Sequence, residues 1–120
     1  MDLVEHRAQS VRVMRISAAL AELNREFAVA VEMPRAVSTE WATRAERRAL
    51  ISARRASWWA LLGRAAVDAG LDVVFLQAAM VAQCTERDNA RFWRQCARDW
   101  QAEASGSVGV GSERHELGVA

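Results

Sequence analysis

The run RRALISARRASWWALLG, Arg47 to Gly63, places two arginine pairs and a tryptophan pair within one short segment. Guanidinium forks hold carboxylates and phosphates in a bidentate fashion, and indole faces stack on bases. Two chemistries compete for this stretch: a basic, aromatic surface for a polyanion, or one side of a helix whose other side is buried. On a helix, Arg47 and Arg54 stand one heptad apart, as do Arg48 and Arg55. Arg44, Arg48 and Arg55 then fall within about 40° of one another, with Trp41 nearly in line with Arg48. From Arg35 to Arg64 seven arginines stand against two glutamates, while the rest of the chain sums to negative charge. The candidate phosphate contacts are therefore Arg44, Arg47, Arg48, Arg54 and Arg55. Trp58, Trp59 and Trp41 are the candidate anchors for a protein partner, because tryptophan and arginine are enriched at interface hot spots. The plainer reading of the same arginines is a solvated face paired with carboxylates of neighbouring helices, such as Glu22, Glu26 or Asp99.

Other reactive side chains form no recognisable set. His6 and His115 are the only histidines, one of them in the C-terminal tail, and the sequence points to neither a Ser-His-Asp nor a Cys-His arrangement. Glu22 and Glu26 have the i,i+4 spacing found in metal-binding bundles, but the further glutamates and Glu-x-x-His pairs of a di-iron site are missing. No glycine-rich loop precedes a helix in the manner of a phosphate-binding fold. Cys84 and Cys96 have neither metal-ligand spacing nor a neighbouring histidine. On one helix they would lie roughly 18 Å apart, too far for a bridge. They read as free thiols of a reducing cytoplasm. Glu86, Asn89 and Cys84 could line a small polar pocket, although a local break in packing explains them as well. Catalytic residues, metal and cofactor are accordingly not expected.

Bulk composition narrows the class. The chain has 120 residues, 52% hydrophobic and 26% charged, which suits a single globular domain with its own core. All 16 basic residues are arginine, tyrosine is absent, and alanine is abundant. This is the residue usage of a GC-rich coding sequence, which weakens arginine content as a sign of anion recognition. Net charge is +1, so no global field draws the molecule to nucleic acid or to an acidic membrane. The N-terminus has no apolar h-region, and the near-apolar run from Val73 to Ala82 is too short to span a bilayer. No membrane association is expected.

The elements that must position these side chains are set by breakers and periodicity. Pro34 and Gly70 divide residues 1–104 into three segments of roughly 30 residues, each roughly 45–50 Å long if helical. In the first, Val13, Ile16, Leu20, Leu23, Phe27 and Ala30 recur in alternating steps of three and four. The second is expected from Thr39 to Ala69, with Ser38 as N-cap and Gly70 just past its end. Its seam should consist of the heptad columns Ala42, Ala49, Ala56, Gly63 and Glu46, Ala53, Ala60, Val67, which would turn the arginine columns outward to water. Asp72 is the expected N-cap of the third, whose stripe is Phe75, Ala79, Ala82, Trp93, Cys96 and Trp100. Glu86 and Asn89 interrupt that stripe, so the last helix is either continuous or broken at residues 85–89. Residues 105–120 are Gly/Ser-rich and expected to be a disordered tail.

Short connectors make the segments antiparallel neighbours. The expected fold is all-α: an antiparallel bundle of three long helices, or four if residues 85–89 break the last one. The expected function is non-catalytic, acting by protein–protein interaction or self-association through coiled-coil-like seams, with a homodimer as the simplest case. The alternative is a nucleic-acid-associated accessory or regulatory protein that engages backbone phosphates through the arginine-rich face. A Trp-lined enzyme or small-ligand sensor is the least supported of the three.

Overall fold

The computed structural model describes residues 2–109, and the expected disorder of residues 110–120 falls outside the described residues. Among these residues, three antiparallel helices make up the fold: α1 (Leu3–Val31), α2 (Ser38–Asp68) and α3 (Val73–Gly109). The third is continuous through residues 85–89 and runs past residue 104, where the tail was expected to begin. Among the described residues there is no strand, and no helix is long and apolar enough to cross a membrane.

Local chemistry sets the ends. Asp2 caps α1, its Oδ1 accepting the Glu5 N–H at 2.8 Å. Helix α2 begins one residue earlier than the sequence suggests, with Val37 at the N-cap instead of Ser38. Valine has no capping acceptor, and the Glu40 carboxylate instead takes the N–H groups of Ala36 and Val37 at 3.1 and 3.2 Å. At the far end, Gly70 adopts φ +67°, a left-handed conformation that only glycine reaches without strain. It lets the N–H of Leu71 reach the Ala66 carbonyl and the N–H of Gly70 reach that of Val67, which is a Schellman motif. Asp72 then opens α3 by accepting the Val74 N–H at 3.0 Å.

Helix α2 is the centre of the molecule. Both other helices pack on it, and no Cα of α1 comes within 8 Å of a Cα of α3. The result is a long, thin body of 72 × 24 × 16 Å. Against α1, α2 uses large side chains: Ile51 is buried among Leu23 and Ala30, with Phe27, Met33 and Trp58 around them. Hydrogen bonds from Arg12 and Gln9 to Asp68 hold the N-terminal half of α1 in register. Against α3 the buried residues are small. Ala42, Ala45, Ala49, Ser52, Ala56 and Gly63 meet Ala79, Ala90 and Ala97, and α3 lies closer to α2 than α1 does. A Cβ built on Gly63 would sit 3.7 Å from the Ala79 Cβ.

Two columns differ from the sequence reading. On α2 the second buried column is Ala45, Ser52 and Ala66, whereas Glu46 and Val67 are exposed and Ala53 and Ala60 are half-buried. On α3 one column is as expected (Ala79, Glu86, Trp93, Trp100), but its companion is Leu76, Gln83, Ala90 and Ala97. Phe75 is 60% exposed and Asn89 is exposed. The rotation follows from size: close approach to the α2 alanines admits Ala90 and Ala97 and has no room for Phe75.

Candidate functional site

Helix α1 sits over Ile51 and Trp58, and this placement decides the fate of every arginine in the RRALISARR stretch. Adjacent residues on a helix point about 100° apart, so the two members of each arginine pair emerge on opposite flanks of α1. Arg47 and Arg54 stay half-exposed on one flank, where both approach the Glu26 carboxylate at 3.8 and 4.0 Å. Arg48 and Arg55 emerge on the other flank, in the junction between α1 and α3.

Within that junction the guanidiniums are enclosed. The Arg48 guanidinium lies 3.7 Å from the centre of the Trp93 ring and 5.0 Å from that of Phe27. It is thus held between an aromatic face of α3 and one of α1. Burial pulls its pKa below the ordinary arginine value, the Arg44 charge adds to this, and Cys96 opposes it. Its Nε is buried with no hydrogen-bond partner among the described residues. Arg55 donates to Asn24 Oδ1 at 2.7 Å, stands 3.8 Å from Glu86 Oε1, and lies 4.8 Å from the centre of the Phe27 ring. With side chains only 16% and 15% exposed, Arg55 and Glu86 form the most enclosed ion pair among the described residues. The apparent interruption of the α3 stripe at Glu86 is therefore one half of a cross-helix pair.

Arg44 completes the inward column. Only 7% exposed, it donates from Nε to the Val31 carbonyl, and the exposed Arg35 donates to the same oxygen at 2.9 Å. The terminal carbonyls of a helix lack intrahelical partners and carry partial negative charge, so two cations here satisfy the end of α1. The expected outward arginine strip is thereby divided. Arg44, Arg48 and Arg55 turn inward, and Arg47 and Arg54 lie outside beside a carboxylate.

Each tryptophan proposed as an anchor is half-buried. Trp41 stacks on Trp100 with ring centres 5.3 Å apart and planes 14° from parallel. Trp58 packs on the α1–α2 core, while Trp59 lines a depression of about 350 Å³ beside Val67, Leu76 and Met80. The metal-like pair on α1 is engaged by arginine, Glu22 with Arg25 at 2.6 Å and Glu26 with Arg47 and Arg54. No group of three His, Cys, Asp or Glu among the described residues could hold a metal ion. Cys84 and Asn89 are exposed and do not join Glu86, so the sequence-suggested polar pocket is not assembled.

No family model matches this chain, and neither the curated proteins nor the solved structures contain a match.

One arginine cluster escapes the reading of the RRALISARR stretch. Arg87, Arg91 and Arg94 on α3 face Arg64 of α2 across a groove floored by alanines. Their i, i+4, i+7 spacing was visible in the sequence. Four arginines and four carboxylates balance in number along α3, however, so a sum over the segment conceals the side on which the arginines gather.

Proposed function

We propose that this protein is a non-catalytic helical scaffold that docks helix against helix, first with a second copy of itself. The observation that supports this most is the surface of α3 turned away from α2. There Val74, Val81 and Phe92 are 63%, 66% and 58% exposed, at positions where an amphipathic surface helix would be polar. Phe75 and Met80 flank them, both more than half exposed. Val74, Val81 and Phe92 share one face at intervals of about 10 and 16 Å, so they offer spaced apolar contacts to a partner helix. Every copy presents the same face, and a two-fold pair buries both faces at once. Trp59 lines a separate depression with Val67, Leu76 and Met80, beside Arg64 and Asp68. The free thiols of Cys84 and Cys96 accord with a reducing compartment such as the cytoplasm.

Phosphate binding through the five candidate arginines has less support, since Arg44, Arg48 and Arg55 are engaged between helices and Arg47 and Arg54 share Glu26. Sedimentation equilibrium across a concentration series tests the scaffold reading. Wild type should shift from monomer to dimer mass, and Val81→Asp together with Phe92→Asp should hold the chain monomeric. A wild type that stays monomeric at the highest concentration rules self-association out.

A further inference from the structure

We propose that the groove between α2 and α3 that contains Arg64, Arg87, Arg91 and Arg94 is a binding site for a short linear polyphosphate, such as inorganic tripolyphosphate or the phosphate tail of a nucleotide. The groove measures about 470 Å³, within the range of small-molecule sites, and its lining includes no acidic side chain. Ser57 and Gln83 supply neutral hydrogen-bonding groups beside the four guanidiniums. Ser57 lies two residues beyond Arg55, about 200° further round α2, so this groove opens away from the enclosed junction.

The state of these arginines sets them apart from those beside α1. Among the described residues, none of Arg64, Arg87 or Arg94 has a carboxylate within ion-pair distance. Arg91 has only Asp88, at 3.6 Å on its own helix, with both side chains about three-quarters exposed. A solvated i,i+3 pair of this kind contributes little and yields readily to a better anion. Four like charges are therefore gathered over an alanine floor, and among the described residues the solvated Asp88 is the one carboxylate within ion-pair distance of any of them.

Size and boundaries point to a short ligand. Arg87 to Arg94 spans two helical turns, about 10 Å. Asp68 stands beside Arg64 at one end, and Glu46, on the same α2 column as Ala53 and Ala60, accepts a hydrogen bond from Gln101 beyond the other. Carboxylates at both ends confine the positive potential to a few phosphates and would repel a continuing nucleic-acid backbone. No aromatic side chain lines the groove, so a base would find no stacking surface and recognition stops at the phosphates.

Calorimetric titration of the full chain with tripolyphosphate, ATP, GTP and a duplex DNA oligonucleotide tests this. Tripolyphosphate should bind with one-to-one stoichiometry and weaken with added salt, and ATP and GTP should bind within roughly threefold of each other. Arg87→Ala with Arg94→Ala should weaken tripolyphosphate at least about tenfold, since two charge-assisted contacts are lost. Arg47→Ala with Arg54→Ala, which stand beside Glu26 of α1 and outside the groove lining, should leave it unchanged. All four substituted side chains are exposed, and an unaltered circular-dichroism melt verifies that the fold is intact. The site is overturned if tripolyphosphate fails to bind at low salt, if duplex DNA binds and tripolyphosphate does not, or if both double variants lose affinity equally.

Discussion

The two flanks of α2 solve the same packing problem in opposite ways. Toward α3 it presents alanine, serine and glycine, so the backbones approach closely and little side-chain entropy is lost on burial. Toward α1 it presents Ile51 and Trp58, and the wider junction that results has room for charged side chains at its edges. Arg48 and Arg55 fill one edge, bridging α1 and α3, which do not otherwise approach at the backbone. Close approach on one side thus leaves the other to be closed by guanidiniums. An arginine-rich stretch here serves as internal joinery.

The contrast can be broken at chosen positions. Ile51→Ala should have the largest effect, about 2–5 kcal/mol in urea unfolding, because a side chain only 1% exposed leaves a cavity in the α1 junction. Ala56→Leu attacks the opposite flank and should cost about 1–3 kcal/mol by overpacking the small-residue seam. An Ala56→Leu protein as stable as wild type would mean that α2 and α3 are not in close contact there. Gly63→Ala should have the smallest effect and the opposite sign. The added Cβ meets neighbours at an ordinary 3.7 Å, and replacing a helical glycine should raise the melting temperature, with a gain of up to about 1 kcal/mol.

How much of this was legible depended on whether the signal was local. Gly70 and Asp72 punctuate the chain through their own backbone geometry and side-chain acceptors, so the boundary between α2 and α3 could be read residue by residue. The α1 stripe was legible in large part, since Ile16, Leu23 and Ala30 are buried at heptad spacing on one face, although Val13 at its start is exposed. The seam columns were harder. Alanine occupies most sides of α2 and several of α3, so periodicity cannot choose between Ala45 and Ala53, or between Ala82 and Ala90. Only the size of Phe75 and the seat of α1 over Ile51 make that choice, and both are tertiary. For the same reason the sequence brought Arg44, Arg48 and Arg55 into one column but could not say which way it faced. Glu86 looked like a flaw in α3 because its partner lies 31 residues earlier, on another helix.

Urea denaturation of Arg54→Ala beside Arg55→Ala tests the division of the arginines most directly, because the two positions are adjacent in sequence and stand on opposite flanks of α1. Arg54 is half-exposed and 4.0 Å from a shared carboxylate, so its loss should change stability by no more than about 0.5 kcal/mol. Loss of Arg55 leaves Glu86 enclosed without its counter-charge and should cost about 3–5 kcal/mol. Equal, small losses from both would place Arg55 in solvent and contradict the inward column on which this account of the fold is built.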